Sequence, residues 1–194
     1  PAWVAECGVS VNGALPADPA VLVLAVKPQM MGDVLARLGN AAGTLVVSVA
    51  AGVTLAAYGR AFPGAAVVRA MPNTPAAIGQ GITAIVGNAQ ADAAALDLAQ
   101  ALMEAVGRVV RLEDESQMDA VTAVSGSGPA YVFHLIETLA AAGQAEGLPV
   151  ELALDLARAT VAGAGALAMA EGGDPARLRE AVTSPAGTTA AGLS

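Results

Sequence analysis

Cysteine is nearly absent from this chain, and the one present, Cys7, has neither a second thiol nor a neighbouring histidine. No internal disulfide and no thiolate metal centre can therefore organise the fold, which fits a reducing cytoplasm. Basic residues are scarce too. Nine Lys and Arg stand against 17 Asp and Glu, giving a net charge of −8, and aromatics make up 3% of the residues. That balance excludes the electropositive surface of a nucleic-acid binder and opposes docking on an anionic membrane. Long apolar runs are missing as well. The longest strongly apolar stretch, Ala20 to Val26, is far too short to span a bilayer as a helix, although the mean hydropathy is +0.60. No signal peptide is visible, but the chain opens on Pro1 rather than Met, so an element ahead of it can have been lost. These absences leave a soluble protein that handles a small molecule.

What is there suits a packed core: hydrophobic residues are 55% and charged residues 13% of 194. Residues 1–18 read as a weak helix end and loop. Val21 to Val26 is continuously apolar, as in a parallel strand buried on both faces. A helix from Pro28 to Leu38, a strand at Leu45–Val49, a short helix around Thr54–Phe62 and a strand at Val67–Met71 follow. Strands at Ile82–Val86 and Val109–Leu112 flank a helix, Ala91–Val106, whose Leu96, Ala99, Leu102, Met103 and Val106 share one face. This alternation predicts a doubly wound α/β domain over 1–114. Beyond Glu113-Asp114-Glu115 only helices are expected, in a second domain over 115–194. There Ser125-Gly126-Ser127-Gly128-Pro129 reads as a capped turn before a helix, and Val150–Glu171 as a helix carrying small Ala157, Thr160, Gly163 and Ala164. A half so rich in alanine often packs against a copy of itself.

Ligands of open α/β sheets bind at the carboxyl ends of the strands. Those ends here are Ala25-Val26-Lys27-Pro28, Val49-Ala50-Ala51-Gly52 and Arg69-Ala70-Met71-Pro72-Asn73-Thr74-Pro75. Ala50 and Ala51 are small enough for a flat ring or ribose to lie against the backbone. Lys27 can meet a phosphate or ribose, and taken alone it reads equally well as a solvated surface lysine. Near the end of the chain, Ala181 to Leu193 gathers Ser, Thr, Pro and Gly. Pro185 stops a helix, Gly187 admits close backbone approach, and Thr188 and Thr189 open a new helix with free N–H groups and hydroxyls. Such a start favours an anion. With no carboxylate, His, Cys or Lys, it offers no nucleophile or strong base, so difficult chemistry falls to a cofactor. Alone, the segment also reads as an ordinary helix-breaking turn. Ser125 to Pro129 lacks the preceding strand and the lysine of a phosphate loop. His134, between Phe133 and Leu135, reads as a packed helix histidine. Glu115 and Asp119 read as a solvated helix start, with Glu115 also able to face the sheet's ligand edge. No metal site is expected.

Taken together and in order, Ala25 to Gln29, Ser48 to Val53, Arg69 to Pro75, Asp119 to Tyr131 and Ala181 to Leu193 resemble the pyrroline-5-carboxylate reductase family. The resemblance covers essentially the whole chain. It implies a Rossmann-like NAD(P)-binding domain followed by an all-α dimerisation domain, with the active site between one subunit's cofactor domain and the helical domains of a homodimer. It implies NADPH or NADH as cofactor, 1-pyrroline-5-carboxylate as substrate and L-proline as product. Ala25, Val26, Lys27, Pro28, Val49, Ala50 and Ala51 would be cofactor contacts, with Glu115 a weaker one. Gly187, Thr188 and Thr189 would hold the substrate carboxylate, Ser184 would shape the loop, and Thr189 would deliver a proton to the ring nitrogen.

Two departures from the family pattern stand out. Ala186 occupies a position where many relatives have a second glycine. The opening strand, glycine-rich turn and next helix and strand of the family are not found ahead of Pro1, nor is its last helix after Ser194. The residues that choose between NADPH and NADH are expected in that missing part. Alternatives are a hydroxyacid dehydrogenase or imine reductase of the same plan, which would need a catalytic Lys or Asp in the helical half, and a non-catalytic dimerisation or carboxylate-sensing module.

Overall fold

The computed structural model describes Val4, residues 6–38, Ala41 and residues 43–193. They divide into two compact units, Pro1–Pro129 and Ala130–Ser194. The expected opening helix end falls partly on residues outside those described.

The first unit is built on a five-stranded sheet in the order β1 (Val21–Leu24), β2 (Leu45–Ser48), β3 (Val67–Met71), β4 (Gly81–Gly87) and β5 (Gly107–Arg111). β1 and β2 run parallel, as do β2 and β3. β2 and β3 are the fully buried strands, with Val46, Val47, Val67 and Val68 at 0% exposure, as continuous apolar runs in a covered sheet should be. β1 departs from expectation. Among the described residues it is an edge strand and Val23 is 49% exposed, because no described element covers it on that side.

Helices α1 (Met31–Leu38) and α2 (Leu55–Ala61) cover one face. Met31, Tyr58 and Phe62 there pack with Leu24, Val46 and Val67. Thr54 caps α2 by accepting from the Ala57 N–H. On the other face α3 (Ala93–Glu104), capped by Asp92, presses Ala99, Leu96 and Met103 onto Val47, Val68 and Ile85.

The doubly wound alternation stops at β3. β4 returns antiparallel to it, while β5 is again parallel to β4. The chain between β3 and β4 holds only a short 3-10 turn, Thr74–Ile78, behind Pro72. A parallel crossover needs a dozen or more residues, usually a helix, so the strand can only turn back.

After β5 a capping box at Asp114 opens the turn Glu115–Gln117, then α4 (Met118–Val121). Next comes a π turn, Thr122–Gly126, which runs into the stretch Ser125–Pro129 where a capped turn was expected. Its cause is Pro129. Lacking an N–H, it cannot bond the Ser125 carbonyl, and its ring displaces that carbonyl, so one wide turn absorbs the misfit. The Ser127 N–H accordingly donates to Thr122 O, five residues back, at 2.8 Å. Proline does open the next helix, standing second in α5 (Gly128–Ala145).

In the second unit α5 is followed by α6 (Val150–Glu171), α7 (Pro175–Ala181) and α8 (Thr188–Gly192). α5 and α6 meet through small residues: a Cβ on Gly143 would lie 3.3 Å from Ala153 Cβ, and Ala140, Ala153 and Ala157 are buried. Much apolar surface stays uncovered within the chain, including Tyr131, Phe133, Val150 and Leu167. α6 is long and apolar enough by composition to cross a membrane, and only 11% of its apolar window is buried here. His134, expected to be packed, is exposed instead and lies 3.5 Å from Glu137 Oε2, since its helix face has no cover within the unit.

Candidate functional site

The first unit brings the predicted cofactor contacts together. Leu24 pairs with Ser48, and Ser48 with Arg69, so the three parallel strands end level. The Val49 N–H donates to Leu24 O at 3.1 Å, extending the pairing by one residue. Ala25 to Pro28 and Val49 to Ala51 therefore leave the sheet side by side, about 4.8 Å apart in the direction of pairing, with Pro72 to Pro75 beyond the third strand. Ala25, Lys27 and Pro28 are exposed, Val26, Val49 and Ala51 half-buried, and Ala50 buried. The shelf they make is flat because its side chains are short. Gly52, at φ +74, turns the chain away from it in a left-handed conformation that a side chain would strain.

Behind the shelf lies a polar network in which Ser48, Tyr58 and Arg69 had no expected role and Glu115 was expected as a weaker cofactor contact. Ser48 Oγ and the Tyr58 hydroxyl are 2.6 Å apart, and the Ala50 N–H donates to Ser48 Oγ at 3.2 Å. Burial pushes the Tyr58 hydroxyl's pKa up, opposed by the Ser48 hydrogen bond and the nearby Arg69 charge. Arg69, 6% exposed in β3, makes an ion pair with Glu115. The same Glu115 oxygen accepts from the Leu55 N–H at 2.7 Å, at the start of α2. Glu115 thus ties β3 to the helix that follows the shelf. The signal was available: a charged Arg69 inside a buried apolar strand requires a partner. Removing that partner strands a buried guanidinium. Glu115→Ala is expected to cost on the order of 3 kcal/mol, read as a lowered urea midpoint, with Glu115→Asp falling between it and the parent.

The Ser125–Pro129 motif also closes on this edge. A Cβ on Gly126 would lie 2.8 Å from Met71 Cε, so the π turn rests on the residue that ends β3. Asn73 Oδ1 accepts from the Ile82 N–H at 3.0 Å and fixes the proline-flanked loop to β4.

In the second unit the loop Ser184–Gly187 is a tight turn, closed by the Gly187 N–H donating to Ser184 O at 3.1 Å. Gly187 precedes α8, and no side chain caps that helix. Ser184, Thr188 and Thr189 are exposed. The leading N–H groups of a helix have no acceptor within it, so this start can donate to an oxyanion with two threonine hydroxyls beside it. Ala186 adopts φ +58, a left-handed conformation that costs a β-carbon about 1 kcal/mol. This is the physical reason for a glycine at that point. Ala186→Gly is expected to stabilise the loop by roughly 0.5 kcal/mol, seen as slower local amide exchange with the fold unchanged.

Comparison with known proteins agrees with both units. Residues 115–194 match the family model for pyrroline-5-carboxylate reductase dimerisation, and residues 3–52 that of coenzyme F420-dependent NADP oxidoreductases. A pyrroline-5-carboxylate reductase of Synechocystis is 50% identical over 89% of this chain and 65% of its own length. One from Pseudomonas aeruginosa is 46% identical over 95% of this chain and 69% of its own. The crystal structure of the Plasmodium falciparum pyrroline carboxylate reductase with NADP bound superposes with a TM-score of 0.80 at 30% identity, covering 90% of this chain and 67% of that one. The chain thus spans about two thirds of the length of these relatives. Identity of this degree over nearly all of its residues means that the chain belongs to the pyrroline-5-carboxylate reductase family.

Proposed function

We propose that the chain carries the NAD(P)H-dependent reduction of 1-pyrroline-5-carboxylate to L-proline. The observation that carries this reading is the exposed, uncapped helix start at Gly187–Thr189, which has hydroxyls and N–H groups but no acid or base of its own. The backbone N–H groups of Thr188 and Thr189 hold the substrate carboxylate, and the Ser184–Gly187 turn sets their height. The Thr189 hydroxyl meets the ring nitrogen. A threonine is too weak an acid to protonate an imine alone, so it relays a proton from water to the nitrogen or, where the ring is already protonated, its oxygen accepts from the ring N–H and orients it. On the first unit, Ala25 to Pro28 and Val49 to Ala51 hold the dinucleotide, with Lys27 toward its phosphate or ribose. NAD(P)H, when bound, supplies the hydride that the imine carbon accepts. Glu115 acts here from behind the shelf, through Leu55 and Arg69.

The working form we propose is a homodimer or higher homo-oligomer in the cytoplasm, its contact made by the apolar faces of α5 and α6. The family match over residues 115–194 supports it, as does the apolar surface those helices leave exposed. The domain division we propose places the cofactor on residues 1–114 and the substrate loop and dimer contact on 115–194.

The test is NADPH oxidation, followed by absorbance, on adding 1-pyrroline-5-carboxylate to the chain completed to the relatives' full length. Turnover supports the reductase reading. A folded dimer without turnover sinks it and leaves a carboxylate-sensing or scaffold module.

A further inference from the structure

The connection from β2 to α2, residues 49–54, is held at both ends by side chains, one from the buried Ser48 and one from the half-buried Glu115. Ser48 Oγ accepts from the Ala50 N–H at its start, and Glu115 accepts from the Leu55 N–H at its finish. Ser48 is 1% exposed and Tyr58 0%, and both sit against an otherwise apolar cluster that includes Leu24, Val46, Ala50, Phe62 and Val67. Packing alone does not call for a hydroxyl there. A phenylalanine would fill the same volume, as Phe62 does nearby, and burying a hydroxyl is costly unless it is bonded. The Tyr58 hydroxyl reaches Ser48, and Ser48 holds the amide of the innermost residue of the shelf. With Ala50 donating, Ser48 Oγ keeps one lone pair and its own proton to share with Tyr58.

We propose that Tyr58 and Ser48 are positioning residues for the cofactor, whose shared hydrogen bond fixes the Ala50 backbone and with it the height of the Val49–Gly52 shelf. The proposal rests on the reading of that shelf as a cofactor contact. Neither side chain touches the cofactor. Both are buried, and they act through Ala50. Ser48 leaves the shelf side of the sheet level with Leu24 and Arg69, so a shift of Ala50 would misalign the shelf against Ala25 to Pro28 on the next strand.

The test uses the chain completed to full family length, with Tyr58→Phe, Ser48→Ala and, as a comparison, Phe62→Leu, a change in the same core cluster that leaves the Tyr58–Ser48 hydrogen bond in place. Amide hydrogen exchange at Ala50 needs no cofactor. In Tyr58→Phe it should rise about tenfold relative to Val46 and Val47, the loss of one hydrogen bond. NADPH affinity should weaken about five- to tenfold by the same reasoning, with kcat at saturating NADPH within about twofold. Ser48→Ala should move both readouts further, because it leaves the Tyr58 hydroxyl and the Ala50 N–H unpaired. Phe62→Leu should lower the unfolding midpoint while leaving both unchanged. Unchanged Ala50 exchange in Tyr58→Phe overturns the proposal, as does faster exchange with unchanged NADPH affinity. So does a Phe62→Leu protein that loses NADPH affinity to the same extent. If the parent protein binds no NADPH, the cofactor reading of the shelf is what falls, and the positioning role falls with it.

Discussion

Thr189→Ala is expected to slow imine reduction by about 100-fold, the lower range for losing a positioned proton donor, while NADPH affinity stays within about twofold. Thr189 is exposed in the first turn of α8. Alanine is the better helix former, so the substitution should not unfold its surroundings, and a slower reaction reports on chemistry. Its neighbours offer no replacement: Ala190 and Ala191 follow it, and the other hydroxyls nearby, on Thr188 and Ser184, sit at other positions of the turn. Thr189→Ser, which keeps the hydroxyl, should retain most of the rate. Single-turnover kinetics with saturating NADPH separate the step from binding. A Thr189→Ala protein with parental turnover would remove the proton-donor role and leave Thr189 only its backbone.

Gly187→Val acts on binding rather than on the proton. Gly187 has φ −83 and ψ 172, a conformation open to any residue, so its requirement for glycine is one of space. A Cβ there would lie 2.5 Å from Ser184 Oγ and 3.2 Å from the Ser184 carbonyl oxygen. The hydroxyl can rotate away, but the carbonyl is held by the hydrogen bond from the Gly187 N–H. A branched side chain therefore pries the turn open and moves the leading N–H groups of α8 off the carboxylate. Affinity for proline should fall at least about 30-fold, corresponding to about 2 kcal/mol, in a titration that follows heat. Gly187→Ala/Ser184→Ala should lose less than Gly187→Ala alone, because one of the two clashes is gone. Equal losses in the single and double variants would place the obstruction at the carbonyl. Proline binding by Gly187→Val at parental affinity would sink the carboxylate role of the loop.

The sequence made the strand ends legible because the apolar run of β2 gives way to Ala50, Ala51 and Gly52, and β3 stops at Pro72. The loop before α8 was legible because Pro185, Gly187 and the two threonines break an alanine-rich pattern. The reversal of β4 was hidden, since periodicity marks a strand without its direction. Direction followed from the length of the Met71–Gly81 connection, too short for a crossover helix. The π turn was hidden for a different reason. Ser-Gly-Ser-Gly reads as a turn locally, and only the missing N–H of Pro129 four residues after Ser125 shows that a helix is being widened. Cross-chain partners such as Glu115 for Arg69 depend on contacts 46 residues apart in sequence, which no local pattern encodes.

The Arg69–Glu115 pair also bears on how the chain can be dissected. The pattern of strands ends before Asp114, and the family match for dimerisation begins at residue 115, so a gene cut there would look natural. Yet Met118, 2% exposed, belongs to the core of the first unit, and the compact unit runs on to Pro129. A fragment ending at Asp114 would expose the socket of Met118 and leave the guanidinium of Arg69 buried without its counter-charge. It should express as aggregate. A fragment ending at Pro129 keeps both partners and should be the minimal autonomous folding piece. The stretch matched to the dimerisation family and the compact first unit therefore share residues 115–129, and a cut inside that stretch removes part of the first unit's own core.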